Sequence, residues 1–152
     1  GVLKNTVHQG VHGTDLVTKK KFWNFTVRYE FMVPDDSNSG FYLRGRHEIQ
    51  ILGDFKAGKA GNGGNGAIYA FKAPDVFASK PGNEWQTAEA TMIGDKITFI
   101  LNGKKIHDQV VCKKATGSEI DNKVNEPGPL FLQGDHGTVA FRKMQIKELP
   151  KA

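Results

Sequence analysis

The sequence predicts an all-β fold in which two antiparallel sheets pack face to face, with little helix. Short runs alternate between apolar and polar residues, which is the period of a strand with two unlike faces. Turn residues separate these runs, among them many of the 18 glycines, and no window sustains a helical period. A chain of 152 residues is long enough to bury the core of one domain. We therefore expect a single domain over residues 1–152, a sandwich of roughly nine to eleven strands.

The first elements follow in order from this alternation. Residues 1–17 contain only isolated apolar residues or pairs of them, which predicts one or two short strands. The run Phe22 to Val33 (FWNFTVRYEFMV) predicts the first long strand, because its odd-numbered residues from Phe25 onward are apolar. A turn at residues 34–38 then leads into the run Ser39 to Leu52 (SGFYLRGRHEIQIL), which we expect to form one continuous central strand.

Glycine-rich and hairpin turns organise the rest of the chain. The run Gly58 to Gly66 (GKAGNGGNG) predicts a flexible loop, because five of its nine residues are glycine. Asn102-Gly103 is the strongest hairpin signal, and Gly94-Asp95 predicts a second hairpin. The remaining predicted strands are 67–71, 85–93, 96–101, 104–111, 130–133 and 138–149.

Composition excludes several functional classes. The formal net charge is +5, but the lysines are dispersed and no basic run interleaves with aromatic residues, so we expect no nucleic-acid partner. Cys112 is the single cysteine, which excludes an internal disulfide and a cysteine-based zinc site and favours a buried thiol. No apolar stretch is long enough to cross a bilayer, so we expect no membrane insertion.

The central run Ser39 to Leu52 has two unlike faces. Its odd-numbered residues are mostly apolar and fit a core. Its even-numbered residues carry polar groups that can make fork-shaped hydrogen bonds, and they are Tyr42, Arg44, Arg46, Glu48 and Gln50. Two arginines, a glutamate and a glutamine in one row favour the floor of a site for a hydroxyl-rich ligand. A solvated sheet face with cross-strand ion pairs explains the same pattern equally well.

Residue types and spacing restrict the chemistry of such a site. Glu48 shares its parity with Asp54, which lies six residues on, about 20 Å along an extended strand. The paired carboxylates of ordinary glycosidases lie about 5–9.5 Å apart, so this strand alone cannot supply them. No Gly-x-Ser-x-Gly motif is present and Cys112 has no local activation, which disfavours a nucleophilic enzyme. The remaining candidates are Arg44, Arg46, Glu48, Asp135 and His136.

His136 lies in a glycine-flanked turn near the end of the chain. A histidine in such a turn is exposed and can act as a general base near neutral pH. The alternative is an ordinary turn residue held by the backbone.

Four blocks of the sequence, taken in order, resemble the 3-keto-disaccharide hydrolase domain family. The blocks are NSGFYLRGRHEIQIL, GAIYAFKAP, PGNEWQTAEATMIGDKITFILNGKKIHD and GPLFLQGDHGTVAFRKMQIKEL, and the resemblance runs from about Gly1 to Leu149. It implies a concanavalin-like, laminin-G-like jelly roll that hydrolyses glycosides already oxidised at the C3 position of the sugar. It also implies a periplasmic or secreted bacterial protein. The chain departs from the family in lacking the usual first strand with its Leu-Phe-Asp-Gly motif, and at His47 and Lys143.

The resemblance also implies a reaction. A ketone at C3 acidifies the proton on C2, so a base can remove it, the C1 substituent leaves by elimination, and water adds back. We expect His136 or Glu48 to be the base, and Arg44 and Arg46 to stabilise the enolate. The expected sugar-binding residues are Gln50, Tyr42, Gln133, Asp135 and Trp85. A divalent cation is an alternative to one arginine, with Glu48, Asp135 and His136 as its ligands.

Two other functions fit the same pattern. A non-catalytic carbohydrate-binding module of the same fold would tolerate loss of His136 and depend on aromatic residues such as Trp23 and Trp85. A structural or adhesion domain would have no affinity for small sugars. Large aromatic residues at strand positions also fit an ordinary core.

Overall fold

Ten strands build the part of the chain that the computed structural model describes, namely residues 1–6, 13–134 and 136–150. They are β1 (Val2–Asn5), β2 (Leu16–Val17), β3 (Phe25–Met32), β4 (Asn38–Leu43), β5 (His47–Leu52), β6 (Gln86–Ile93), β7 (Lys96–Leu101), β8 (Lys104–Val111), β9 (Phe131–Leu132) and β10 (Val139–Glu148). The helical content of these residues is one 3₁₀ turn, Phe55–Ala57. No helix in this part of the chain is long and apolar enough to span a bilayer.

The strands form two antiparallel sheets, as the sequence predicts. The six-stranded sheet has the order β1-β10-β3-β6-β7-β8, and the four-stranded sheet has the order β2-β9-β4-β5. Strand β3 shows why the alternating runs form this structure. Its residues Phe25, Val27, Tyr29 and Phe31 are buried, while the residues between them lie on the outer face and are partly or fully exposed.

The core lies between the two sheets. Tyr29 of the six-stranded sheet stacks on Phe41 of the four-stranded sheet, with ring centroids 4.1 Å apart and planes 8° from parallel. Phe141 of β10 tilts against both rings. Such aromatic contacts add to the free energy gained from burying the ring surfaces.

The two predicted hairpins are confirmed. Strands β6 and β7 pair across Gly94-Asp95, and β7 and β8 pair across Asn102-Gly103. Asn102 and Gly103 both have positive φ, at 51° and 81°. Two consecutive residues with positive φ give the tight turn whose twist matches that of the flanking strands.

The prediction of one continuous central strand from Ser39 to Leu52 is wrong, because the run is a hairpin. Strands β4 and β5 pair antiparallel, with Tyr42 opposite Glu48 and Gly40 opposite Gln50. Arg44 and Gly45 adopt left-handed backbone conformations, with φ of 55° and 65°, and reverse the chain between them. Each residue faces a partner of its own parity, so the even-numbered residues of both strands still share one face. The alternation therefore cannot distinguish the hairpin from one long strand.

Two further predictions are corrected in the segment that follows β5. Residues 67–71 do not form a strand, because Ile68 makes only isolated bridges, to Ile49 and to Lys72. The glycine-rich run is anchored rather than loose. The backbone N–H of Asn65 donates to Asp54 Oδ2 at 2.9 Å, and Gln50 Nε2 donates to the carbonyl of Gly63 at 3.2 Å. These bonds hold the run against β5.

Candidate functional site

Both faces of the β4–β5 hairpin are buried. Every residue from Ser39 to Ile51 is shielded from solvent, although only the odd-numbered face packs into the core. Two loops, residues 58–72 and 113–129, cover the even-numbered face. The polar face is therefore neither a broad open floor nor a solvated sheet surface.

A cavity of about 90 Å³ remains between these two loops. The residues that line it are Asn38, Tyr42, Glu48, Gln50, Tyr69, Gly117, Ser118, Gln133 and His136. The structure thus brings together five of the residues expected from sequence, Tyr42, Glu48, Gln50, Gln133 and His136, and we call this space the Glu48 cavity.

Glu48 is fixed from three directions. Its backbone N–H donates to Thr116 Oγ1 at 2.9 Å, which ties it to the loop 113–129. Its carbonyl accepts a hydrogen bond from the N–H of Tyr69 at 3.0 Å, which ties it to the loop 58–72. On the opposite strand, the hydroxyl of Tyr42 donates to Glu48 Oε1 at 3.0 Å. These contacts fix the backbone of Glu48 and one oxygen of its carboxylate.

Gly40 makes room for the Glu48 carboxylate, and sequence reasoning missed it. Gly40 lies on β4 opposite Gln50, and its carbonyl accepts from the N–H of Gln133 at 2.9 Å. A Cβ at Gly40 would overlap an oxygen of the Glu48 carboxylate. A glycine inside an otherwise regular strand is the sequence signal for such a close approach.

Burial changes the acid–base behaviour of Glu48. The side chain is 4% exposed, and this burial raises its pKa from 4.5 to about 7, against the opposing effects of the Tyr42 hydrogen bond and the nearby His136. Both protonation states of Glu48 are therefore populated at neutral pH, which suits a group that takes up a proton during a reaction. Burial and the Glu48 carboxylate raise the pKa of Tyr42, so its phenol stays a proton donor.

Two amide oxygens in the same cavity lack hydrogen-bond donors. Oε1 of Gln50 and Oε1 of Gln133 are both buried without a partner. A buried acceptor without a partner costs about 1–3 kcal/mol, which a bound ligand with hydroxyl groups would recover. Together with the Glu48 carboxylate, these atoms make the Glu48 cavity rich in acceptors.

The expected cation site stays a prediction. No group of three or more histidine, cysteine, aspartate or glutamate side chains could hold a metal ion within residues 1–6, 13–134 and 136–150. Asp135, one of the three expected ligands, lies outside the described residues. Glu48 and the two glutamine oxygens are hard donors of the kind that Ca²⁺ and Mg²⁺ accept, so the donor set is compatible with such an ion.

The hairpin turn places Arg44 away from the Glu48 cavity. Its guanidinium lies 3.7 Å from the ring centroid of Trp23, and its Nε donates to the carbonyl of Trp23 at 2.8 Å. The residue is fully buried, which lowers the pKa of the guanidinium from 12.5 to about 10. Arg44 thus packs against Trp23 and does not line the cavity, so its placement does not support the expected role at an enolate.

Arg46 is also directed elsewhere. Its Nε donates to Asp121 Oδ1 at 2.8 Å, and its Nη1 donates to the carbonyl of Glu126 at 2.7 Å. The Arg46 side chain is 2% exposed, and these contacts fasten the loop 113–129 to the turn. Its placement, like that of Arg44, does not support an enolate-stabilising role.

The two tryptophans are not at the Glu48 cavity either. The guanidinium of Arg142 lies over the ring of Trp85, 3.9 Å from the ring centroid, and the guanidinium of Arg44 lies over the ring of Trp23. Trp85, an expected sugar-binding residue, is absent from the cavity lining. Tyr69, which the sequence analysis assigned to a strand, lines the cavity instead.

Comparison with known proteins yields one family and several similar structures. The model of the 3-keto-alpha-glucoside-1,2-lyase-like domain matches residues 1–147. A "putative glycosyl hydrolase" from Parabacteroides distasonis ATCC 8503 is 27% identical, with a TM-score of 0.77 over 95% of this chain and 74% of that one. No curated protein matches the sequence.

More distant structures share the jelly-roll fold. Carbohydrate-binding module CBM66 from Bacillus subtilis is 12% identical, with a TM-score of 0.50 over 97% of this chain and 92% of that one. Caenorhabditis elegans galectin LEC-6 is 13% identical, with a TM-score of 0.50 over 97% of this chain and 96% of that one. At this identity they show the fold alone, and they confirm the predicted jelly roll.

Proposed function

Because the chain belongs to the 3-keto-alpha-glucoside-1,2-lyase-like domain family, a family of carbohydrate-active, glycosyl hydrolase-like domains, we propose that it cleaves 3-keto-glycosides by elimination followed by hydration. One observation carries this proposal. Glu48 is a buried carboxylate whose pKa is raised to about 7, and it lies in a cavity rich in acceptors. An elimination of this type needs one base rather than the pair of carboxylates used by ordinary glycosidases.

Glu48 acts as the base in this proposal. Its carboxylate takes the proton from C2, and the electrons of the C2–H bond form an enolate with its negative charge on the C3 oxygen. The enolate then collapses, a double bond forms between C1 and C2, and the bond from C1 to the glycosidic oxygen breaks. Water completes the reaction when its hydroxyl adds to C1 and a proton returns to C2.

The other cavity residues assist at defined positions. His136 is exposed at the rim and donates a proton to the departing oxygen. The hydroxyl of Ser118 is an O–H donor for the enolate oxygen, while the hydroxyl of Tyr42 holds the Glu48 carboxylate. The oxygens of Gln50 and Gln133 accept hydrogen bonds from sugar hydroxyls.

Product release from oxidised and unoxidised sugars tests the proposal. We expect the protein to release sugar from 3-keto-trehalose and 3-keto-glucosides and to leave the unoxidised compounds intact, because only a C3 ketone acidifies the C2 proton. We also expect Glu48→Gln to abolish that release. Equal turnover of the unoxidised sugars, or full activity of Glu48→Gln, would show that the proposal is wrong.

A non-catalytic carbohydrate-binding module is the second candidate function. Similarity in fold to CBM66 and to a galectin supports it, since the same sandwich serves binding as well as catalysis. This candidate predicts binding of plain oligosaccharides to wild-type protein without release of product from any keto sugar.

A further inference from the structure

We propose that Tyr69 is the platform on which the leaving sugar of a disaccharide substrate stacks. The inference rests on the proposed function, because it assigns a second subsite next to the same base. Sequence reasoning placed sugar stacking on Trp23 and Trp85, but both rings are covered by arginines away from the Glu48 cavity.

The small size of the Glu48 cavity leaves part of a disaccharide substrate outside it. Its volume of about 90 Å³ lies far below the roughly 300–1,000 Å³ of sites that enclose a drug-sized ligand. A cavity of this size does not enclose a whole disaccharide. Because Glu48 is buried and takes the proton from C2, the C1 substituent must point towards the open rim, where it can leave and be replaced by water.

Tyr69 is the exposed aromatic ring at that rim. Among the described residues that line the cavity, the aromatic side chains with six-membered carbon rings are Tyr42 and Tyr69. Tyr42 is fully buried, whereas Tyr69 is 37% exposed, so only Tyr69 offers a ring to a group outside the cavity. A tyrosine supplies a large, rigid and amphipathic contact surface at low cost in conformational entropy.

The backbone beneath Tyr69 is already ordered. Its N–H bonds to the carbonyl of Glu48, which links the platform directly to the base. The N–H of Ala70 donates to the carbonyl of Asn62 at 2.8 Å, and Ile68 is fully buried beneath the turn. A platform held in this way loses little freedom when a ligand binds, so more of the stacking energy remains available for affinity.

The glycine-rich run supports this arrangement. Gly63 accepts a hydrogen bond from the Gln50 side chain, and a Cβ at Gly63 would lie 4.0 Å from Cε1 of Tyr69. The run therefore passes close to both the cavity lining and the platform. The glycine-rich run, which the sequence predicts to be flexible, thus lies beside the residues proposed to bind substrate.

Phe71 provides a matched control. It lies in the same turn and is also 37% exposed, but it does not line the cavity. Its ring lies 5.7 Å from the ammonium of Lys114. Substitution of Phe71 thus removes an equally exposed aromatic ring from the same turn without touching the proposed subsite.

Steady-state kinetics with two substrates test the inference. The substrates are a 3-keto disaccharide, which has a leaving sugar, and methyl 3-keto-glucoside, which has none. We expect Tyr69→Ala to raise KM for the disaccharide about tenfold, the size of one aromatic contact, with kcat nearly unchanged. Tyr69→Phe should keep the wild-type KM for the disaccharide. Tyr69→Ala should leave KM for the methyl glycoside unchanged. Phe71→Ala should leave KM unchanged for both substrates.

The outcomes separate this inference from the proposed function. If wild-type protein cleaves both substrates but Tyr69→Ala changes KM for both equally, or no more than Phe71→Ala does, the platform is wrong and the function stands. If wild-type protein cleaves neither substrate, the proposed function is wrong. The stacking role of Tyr69 is then tested by NMR titration of wild-type protein and Tyr69→Ala with the unoxidised disaccharide. Weaker binding by Tyr69→Ala then supports the platform, and equal binding, or no binding by wild type, overturns it.

Discussion

The turn of the β4–β5 hairpin and the strand that follows it hold buried charges in different surroundings. At the turn, Arg46 is matched by the Asp121 carboxylate and a backbone carbonyl, and Arg44 lies against the face of Trp23. Further along the hairpin, Glu48 accepts a hydrogen bond from the Tyr42 hydroxyl, and burial keeps its pKa raised although His136 lies nearby. All three side chains come from the same polar row of the sequence.

This difference separates a structural charge from a reactive one. A buried charge whose partners are in place holds its surroundings together, and breaking such a pair destabilises the fold. A buried carboxylate whose desolvation outweighs the effect of its partners keeps a raised pKa and can exchange protons near neutral pH. Burial alone therefore does not identify a functional residue. Its raised pKa and its place in the Glu48 cavity are what distinguish Glu48 from Arg46, whose guanidinium is paired with Asp121.

The largest expected effect is the loss of activity in Glu48→Gln. Glutamine has the same shape and can still accept the Tyr42 hydrogen bond, so the fold should persist while the base is removed. General-base catalysis contributes about 10²–10⁴-fold, and we expect kcat/KM on 3-keto-glucosides to fall by that factor. Initial rates measure the loss of activity, and circular dichroism checks that the variant is folded. A folded variant with more than a tenth of wild-type activity would remove Glu48 from the base position.

Arg46→Ala should reduce stability rather than chemistry. The buried side chain loses its packing and its hydrogen bond to the carbonyl of Glu126, and we expect unfolding in urea to lose about 3 kcal/mol. Arg28→Ala is the control, because Arg28 also pairs with a carboxylate, that of Glu89, but its side chain is 69% exposed. That variant should change stability by less than about 1 kcal/mol. If Arg46→Ala has wild-type stability but no activity, Arg46 has a catalytic role and the structural assignment is wrong.

The stability of the protein should depend on pH through Glu48. Its pKa rises from 4.5 in the unfolded chain to about 7 in the fold, so between these values the folded state binds more protons. Raising the pH from 4.5 to above 7 should therefore remove about 3 kcal/mol of stability through this group, while His47, whose pKa burial lowers to about 4, acts in the opposite direction in both proteins. Glu48→Gln should lose this component, and thermal unfolding of both proteins across this range measures it. Parallel curves for the two proteins would contradict the raised pKa.

Tyr42→Phe gives the smallest expected effect. The hydroxyl of Tyr42 stabilises the ionised form of Glu48, so its removal should raise the pKa of Glu48 further. A hydrogen bond to a charged group contributes about 1.5 kcal/mol or more, equivalent to about one pH unit. The rise of kcat/KM with pH should therefore move about one unit higher. An unshifted profile would mean that Tyr42 does not act on the ionised carboxylate.

Much of the fold could be predicted because local patterns encode it. Alternation places Phe25, Val27 and Phe31 in the core, and Asn102-Gly103 specifies a hairpin through backbone conformation alone. The central run was harder, since a hairpin that pairs residues of equal parity preserves the alternation of one long strand. The left-handed conformation of Arg44 is unusual for a residue other than glycine, and the sequence carries no clear signal for it.

For the candidate site, too, the sequence determined some features and the tertiary structure others. The sequence by itself placed Tyr42, Glu48 and Gln50 on one polar face, because side-chain direction along a strand depends only on parity. Only the tertiary structure decided which charges on that row are matched. The Asp121 carboxylate that pairs with Arg46 lies 75 residues along the chain, and the loops that enclose Glu48 come from two further segments. Partners and burial depend on contacts between distant parts of the chain, and these set the pKa and accessibility that separate Glu48 and Tyr69 from their neighbours.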